Sequence, residues 1–378
     1  MIKSSVCITQ LNNKVISWLD VNSKMEMLSV SDCVSDIIGN IYVGKVKHVL
    51  KNLDACFVEF CPDTLGFLSY NDVLPDTRIV EGADIAVQII KEASKNKEAV
   101  LSMKLSIAGA YSVVEIGDGS LSISKKITGD KRSELKAVFE EKKFENNVIV
   151  RTNACNLEDV SALENEIDYL NGQLSDIRKK AITRTPKSLI YKAEPEYVRF
   201  LKGIPEEMYE RVITDREDIA ADISMYSPVI YNDTYPFTKL YSLETKLDEV
   251  LSRQVWLKSG GNIVIDYTEA MCVIDVNSAK NIAKKDREVN ALKTNIEAAE
   301  EIMRQLRLRN ISGMILVDFI NMADEENQKK LVTCIKENTA KDNTRCDFVD
   351  FTKLGLAEIV RRKMKPPVYE MLKREDYI

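Results

Sequence analysis

An α+β chain of several domains is implied by three features. There are 378 residues, 45% of them apolar, which is enough for two or three domains with buried cores. The first 105 residues read as short alternating strands separated by turn signals, and 106–190 reads as amphipathic helices around a strand. From 251 onward, apolar strands and helices alternate as in an α/β sheet.

Residues 1–36 include "SSVCITQLNNKVISWLDV", an alternating pattern that turns at Asn12-Asn13 as a hairpin does. Residues 37–105 hold five strand candidates: "GNIYVGKVKHVL", "DACFVEF", "LGFLSYNDVL", "ADIAVQIIKEA" and "AVLSMKLSIAG". With Gly39, Gly44 and Gly66 taken as turn residues, they predict a small β-barrel of OB type. Phe57 and Phe67 fall on this barrel near lysines. Exposed aromatics on such barrels stack unpaired bases while cations follow the backbone; the alternative is that both rings are core. In 106–190, "GDKRSELKAVFEEKKF" and "EDVSALENEIDYLNGQLSDIRKKA" predict helices, the second with Leu163, Ile167, Leu170 and Leu174 on one face. Between them, "NNVIVRTNACN" reads as a strand ending at Arg151-Thr152, and "RTPKSLIYKAEPEYV", with Pro186 and Pro195, reads as a linker. Within 191–250, "ERVITD" and "MYSPVIYN" are strands around a helix. In 251–378, "SGGNIVIDYTEAMCVIDVNS" predicts two strands joined by a tight turn. The next helix carries Val289, Leu292, Ile296, Ala299, Met303 and Leu306 as one apolar stripe, and "GMILVDFIN" is the strand that follows.

Composition narrows the chemistry. No apolar stretch reaches the ~18–20 residues that cross a bilayer, and "MIKSSVCITQLNN" lacks the apolar region of a signal peptide, so no membrane and a cytoplasmic location are expected. The eight cysteines are scattered without a CxxC pair, which argues against a zinc site and a disulfide framework. There is one histidine, His48, between lysines in "GKVKHVLKN", so a two-histidine mechanism is excluded and hydrolysis is expected to use a metal held by carboxylates. Net charge is −6, yet "GKVKHVLKNLD", "KEASKNKEAVLSMK", "ISKKITGDKR" and "RRKMKPP" are locally basic. Such patches, rather than the total, set the field that a phosphate backbone meets, although a solvated face is the alternative for each.

Two apolar runs, "MCVIDV" and "MILVDF", each carry a lone aspartate, Asp275 and Asp318. An ionised carboxylate inside an apolar layer is costly unless a cation or partner compensates it. Open α/β sheets place their ligands at such strand ends. If these strands are parallel neighbours, both carboxylates reach one hard cation. Magnesium suits that donor set, because water and substrate phosphate fill its other positions. Asn277 shares the side of Asp275 in an extended chain, in position to fix a water or a phosphate oxygen. In the alternative, one aspartate caps a helix and the other forms a salt bridge. Asp266 in "IVIDY" precedes a turn and is expected to be structural.

The stretch "LSRQVWLKSGGNIVIDYTEAMCVIDVNSAK", with "TNIEAAEEIMRQLRLRNISGMILVDFINM", resembles the catalytic region of the ribonuclease E/G family. "GNIYVGKVKHVLKNLDACFVEF" and "LGFLSYNDV" are similar to its S1-like OB domain, and "SISKKITGDKRSELK" and "VIVRTNA" resemble its sensor for the RNA 5′ end. The resemblance implies an RNase H-like domain split between 1–36 and 191–250. An S1-like OB domain (37–105) and a 5′-sensor domain (106–190) would be inserted in it, and a DNase I-like α/β catalytic domain (251–378) would follow. It further implies an endoribonuclease that cuts single-stranded A/U-rich RNA to 5′-phosphate and 3′-hydroxyl products, acts in messenger and ribosomal RNA processing and decay, and is stimulated by a 5′-monophosphate. On this resemblance Asp275 and Asp318 hold Mg²⁺, with Mn²⁺ as a substitute, and Asn277 orients water or phosphate. Phe57, Phe67 and Lys97 contact RNA, and Arg151, Thr152 and Arg345 bind the 5′-phosphate.

Three departures from the family's pattern stand out. The cysteine pair through which two chains share zinc does not occur in "RRKMKPPVYEMLKREDYI", so no zinc is expected, and any homo-oligomer is not zinc-linked. Asn321 stands where the family often has a second Asp, and Glu98 where a Gly often follows the lysine at Lys97. An RNA-binding scaffold without catalysis is one competing reading, but it would not need Asp275, Asn277 and Asp318 together. A phosphoesterase for small molecules is the other, and it leaves the barrel unexplained.

Overall fold

The computed structural model describes residues 4–33, 37–75, 77–93, 97–140, 142–157, 159–224, 227–231, 237–278, 287–342, 344–363, 365–373 and 376. The chain divides into two compact units, Ser35–Pro205 and the combination of Met1–Val34 with Glu206–Ile378. Three antiparallel strands come first, β1 (Ser4–Leu11), β2 (Lys14–Val21) and β3 (Lys24–Asp32). The expected turn at Asn12 is present, with φ of 49°, and Asn22 and Ser23 both take positive φ (51° and 65°), as a two-residue hairpin loop that follows strand twist requires.

The Ser35–Pro205 unit begins with β4 (Ile41–Leu50), β5 (Ala55–Cys61), β6 (Thr64–Ser69), β7 (Asp84–Lys91) and β8 (Ala99–Ser102). They pair in the order β4-β5-β6-β8-β7, and β7 returns to β4, closing the five-stranded barrel that the sequence predicts. Gly44 and Gly66 are not turn residues, however; they lie inside β4 and β6. A Cβ at Gly44 would stand 2.4 Å from Val58, and one at Gly66 would stand 2.6 Å from Leu101. The narrow interior admits the branched side chains only where the facing strand has none. Then follow β9 (Ser106–Ala108), β10 (Ser112–Glu115), β11 (Leu121–Ile123), α1 (Gly129–Phe139), β12 (Asn147–Val150) and α2 (Ser161–Thr183). A four-stranded sheet, β11-β12-β10-β9, packs on α2 through buried Leu163, Ile167, Leu170 and Leu174. The expected linker is instead β13 (Ser188–Tyr191), which pairs antiparallel with β4, followed by α3 (Glu196–Lys202). Ser188-Leu189-Ile190-Tyr191 carries no alternating pattern of its own between the flanking prolines, and its strand is made by pairing with β4.

In the other unit, β14 (Arg211–Thr214) pairs parallel with β1, and α4 (Glu217–Ile223) leads to β15 (Val229–Tyr231). The helices α5 (Phe237–Leu240) and α6 (Leu243–Leu251) cover this sheet around Trp18, which is fully buried against Phe237 and Tyr241. A second sheet contains β16 (Gln254–Trp256), β17 (Asn262–Tyr267), β18 (Met271–Asn277), β19 (Gly313–Asp318), β20 (Cys346–Phe351) and β21 (Ala357–Arg361). Its order is β16-β17-β18-β19-β21-β20, and among the described residues only β18 and β19 pair in parallel. The crossover between them contains α7 (Arg287–Leu308); α8 (Glu325–Ala340) follows β19, and α9 (Val368–Met371) comes last. Ile274, Val276, Val317 and Phe319 join Ala298, Ala299, Ile302 and Leu306 in one core. Val289 is 68% exposed, so the stripe predicted on α7 starts too early; Ala291, Asn295 and Ala298 share the buried face instead.

On the barrel wall, buried Glu59 accepts from Lys187 Nζ at 2.7 Å through Oε1, and Lys47 Nζ forms an ion pair with Oε2 at 2.7 Å. These bonds, Lys187 first, hold its carboxyl at about 2 against an ordinary 4.5. Because the folded-state pKa is depressed, the contribution to stability is complete above the unfolded value and is lost as pH falls toward 2. Urea midpoints of the parent are therefore expected to drop more steeply between pH 4.5 and 2 than those of Glu59→Gln; parallel profiles would contradict this.

Candidate functional site

The parallel pairing of β18 and β19 sets Met271 beside Met314, Ile274 beside Val317 and Asp275 beside Asp318. In-register neighbours on adjacent strands are about 4.8 Å apart at the backbone and point the same way. Asp275 and Asp318 alternate with buried Ile274, Val276, Val317 and Phe319, so both emerge on the face of the sheet opposite the helical core. Both are exposed, which corrects the premise that they stand inside an apolar layer. Neither is spent on a salt bridge among the described residues, whereas Asp266 is. Arg253 grips Asp266 through Nε at 2.5 Å and Nη2 at 2.7 Å, which holds its carboxyl below the usual range.

Asn277 donates from Nδ2 to Asp275 Oδ2 at 2.8 Å, fixing that carboxylate on the open face. Ala279 and Lys280, at the end of the same motif, lie outside the described residues. Gly261 lets the start of β17 come close to this strand end: a Cβ there would lie 2.6 Å from the Asn277 carbonyl oxygen. Two hard, water-accessible carboxylates and an amide fit a magnesium ion, which needs few protein ligands and keeps several waters. Among the described residues, no group of three or more His, Cys, Asp or Glu side chains gathers as a metal site.

In the Ser35–Pro205 unit, Phe57 and Phe67 are register partners on β5 and β6, with ring centroids 6.0 Å apart and planes at 71°. Their strand neighbours Cys56, Val58 and Leu68 fill the barrel, while the two rings lie half-buried on its outside, so the core alternative does not hold. His48 pairs with Phe57 from β4 and is exposed. Lys97 is exposed just upstream of β8. Arg151 follows β12; it is half-buried, donates to Gly109 O, and has Glu166 and Glu194 nearby. Burial lowers its pKa, the two glutamates opposing that. Thr152 shares a 2.9 Å hydroxyl contact with Ser124. Arg345 belongs to the other unit, where it is exposed and binds Asp347 at 2.8 Å.

Sequence reasoning passed over the groups that hold the strand ends. Asn295, fully buried on α7, donates to Ile320 O at 2.8 Å and accepts from Ile320 N at 3.0 Å. Glu288 accepts from the backbone N–H of Ala323 (3.2 Å) and of Asp324 (3.1 Å), and Glu297 accepts from Ser259 N at 3.1 Å. The available signal was an asparagine inside an apolar helix face. Asn295→Ala leaves both Ile320 groups without their partner and is expected to cost about 1–3 kcal/mol of stability by urea unfolding, and to lower any activity that depends on Asp318; an unchanged midpoint would contradict this.

The ribonuclease E/G family model matches residues 106–364. Ribonuclease E of Haemophilus influenzae is 31% identical over 359 residues, covering 88% of this chain and 38% of the relative. Ribonuclease E of Escherichia coli is also 31% identical, over 365 residues, covering 88% of this chain and 34% of its own length. Ribonuclease G of Salmonella typhimurium is 28% identical over 392 residues, covering 95% and 80%. The chain thus spans little more than a third of the ribonuclease E relatives and most of ribonuclease G. With its mixed α+β architecture, its closed barrel and a family match over most of its length, this chain belongs to the ribonuclease E/G family.

Proposed function

We propose that the protein is a magnesium-dependent endoribonuclease that cleaves single-stranded, A/U-rich RNA to 5′-phosphate and 3′-hydroxyl products. The observation that carries this reading is the register pairing of Asp275 with Asp318 on an open sheet face, with Asn277 bonded to Asp275. Family membership supplies the substrate class. The finer architecture belongs to the same proposal: a split RNase H-like domain, an S1-like barrel and a 5′-sensor inserted in it, and a DNase I-like catalytic domain.

Asp275 and Asp318 would hold Mg²⁺, or Mn²⁺ in its place. When bound, the ion neutralises charge on the phosphoryl oxygens and lowers the pKa of its water. Asn277 keeps Asp275 in one orientation through its 2.8 Å bond, so the donor set is preorganised. Phe57 and Phe67 offer ring faces to unpaired bases, and Lys97 a cation to the backbone. Arg151 and Thr152, together with Arg345, would recognise a 5′-monophosphate, for which a planar guanidinium is suited. His48 is the chain's one histidine, and the proposed metal chemistry gives it no role. No helix among the described residues is long and apolar enough to cross a membrane, and the working place proposed is the cytoplasm, in RNA processing and decay.

The test is cleavage of a short 5′-monophosphorylated A/U-rich RNA in Mg²⁺. Asp275→Asn is expected to lose more than about 100-fold in rate while keeping RNA binding. Arg151→Ala is expected to cut 5′-monophosphate and 5′-hydroxyl RNA at the same rate, where the parent prefers the former. Equal cutting by the parent and Asp275→Asn would place the chemistry elsewhere, and binding without cutting by the parent would favour the scaffold reading.

A further inference from the structure

In the Ser35–Pro205 unit, the turn between β9 and β10 is wrapped around a carboxylate. Gly109 N donates to Ser112 O at 2.8 Å and closes the turn. Its next three backbone N–H groups all point to Glu166 on α2. Ala110 N donates to Oε2 at 2.8 Å, and Tyr111 N and Ser112 N donate to Oε1 at 3.0 and 2.7 Å. The buried Ser112 hydroxyl adds a fourth bond to Oε1, at 2.7 Å. Successive N–H groups gathered in this way make a concavity for an anion, and here the chain supplies the anion itself. Gly109 leaves room for it: a Cβ there would stand 2.3 Å from Glu166 Cδ. The Gly109 backbone is not in the left-handed region, so what a side chain would meet at this position is the carboxylate.

The same turn holds Arg151 at two points. Arg151 N donates to Tyr111 O at 2.8 Å, and its guanidinium donates through Nη1 to Gly109 O. Each of these carbonyls shares a peptide group with an N–H that Glu166 accepts. In Gly109–Ala110, the N–H goes to Glu166 and the C=O to the guanidinium. In Tyr111–Ser112, the N–H goes to Glu166 and the C=O to the Arg151 backbone. A trans peptide group is planar with its N–H and C=O opposed, so a carboxylate that fixes the N–H also aims the carbonyl. Hydrogen bonds linked in series through peptide groups polarise and strengthen one another. Among the described residues the guanidinium makes no other hydrogen bond, so the rest of its fork is open to the two-point binding that phosphate favours.

We propose that Glu166 is a positioning residue for recognition of the RNA 5′ end: it aims the Arg151 guanidinium through two peptide groups, so that a monophosphate meets a preset fork. The proposal rests on the 5′-monophosphate reading of Arg151 above. Two RNAs of one sequence, one with a 5′-monophosphate and one with a 5′-hydroxyl, are compared on the parent, Glu166→Gln, Gly109→Ala and the double variant. Binding is followed by fluorescence anisotropy without added metal, and cleavage in Mg²⁺. Glu166→Gln keeps the shape of the side chain and removes one acceptor oxygen. It is expected to weaken binding of the monophosphorylated RNA about tenfold and to raise its KM by as much, with kcat unchanged. The 5′-hydroxyl RNA should be bound and cut as by the parent. Gly109→Ala, which leaves Glu166 intact but takes the space of its carboxyl, should do the same. The double variant should be scarcely worse than either single one, because both changes act on one turn. A parental preference for the monophosphate retained in both single variants would overturn the proposal, and so would equal losses on the two RNAs, which a merely structural role predicts. If the parent itself binds both RNAs alike, the 5′-monophosphate reading of Arg151 fails, and the role of Glu166 falls with it. If the parent cuts neither RNA, the binding comparison alone decides by the same outcomes.

Discussion

Parallel pairing between β18 and β19 is the constraint on which the candidate site depends. Side chains along a strand alternate between faces, so a slip of one residue in either strand would turn its aspartate into the helical core. The register is held by the buried rows Cys272–Ile315 and Ile274–Val317, which pack on α7. Apolar burial on one face thus fixes the placement of charge on the other. Two neighbouring carboxylates repel one another, and the open face lets water solvate them. A divalent cation turns that repulsion into attraction at no cost in desolvating a deep cavity.

Helix α7 does more than cross from one strand to the next. Glu288, Asn295 and Glu297, in its first half, take up backbone groups in the segments that precede β17 and follow β19. A parallel pair needs such a crossover, and here the same helix also braces the entry to β17 and the exit from β19. The barrel of the other unit repeats the principle in smaller form. Cross-strand register puts Phe57 opposite Phe67, and the inward neighbours Cys56, Val58 and Leu68 force the two rings outward.

Strand and helix periodicity carried most of the fold. The five barrel strands, the α2 face and the strand–helix–strand passage from β18 to β19 were all legible, because each buries one face and so keeps a clean period. What was obscured has local causes. Pro186 and Pro195 disguised β13, whose strand character comes from pairing with β4 rather than from composition. Gly44 and Gly66 resembled turn residues because a sequence does not reveal the close approach of a facing side chain. Asp275, Asn277 and Asp318 were recognisable as a group, yet their exposure was misjudged: an apolar run looks continuous when its outward positions, such as Val273 and Met314, are apolar too. Asn295 interrupts an apolar helix face, which marks it in the sequence, but its partners are the backbone groups of Ile320, which do not.

The central claim is that Asp275 and Asp318 hold one cation between them. Its most direct test is a Mn²⁺ titration followed by electron paramagnetic resonance, for the parent, Asp275→Asn, Asp318→Asn and the double variant. Shared coordination predicts one site in the parent, a large loss of affinity in each single variant, and a double variant scarcely worse than either. Full-strength binding in the single variants, or losses that add as independent sites do, would contradict it.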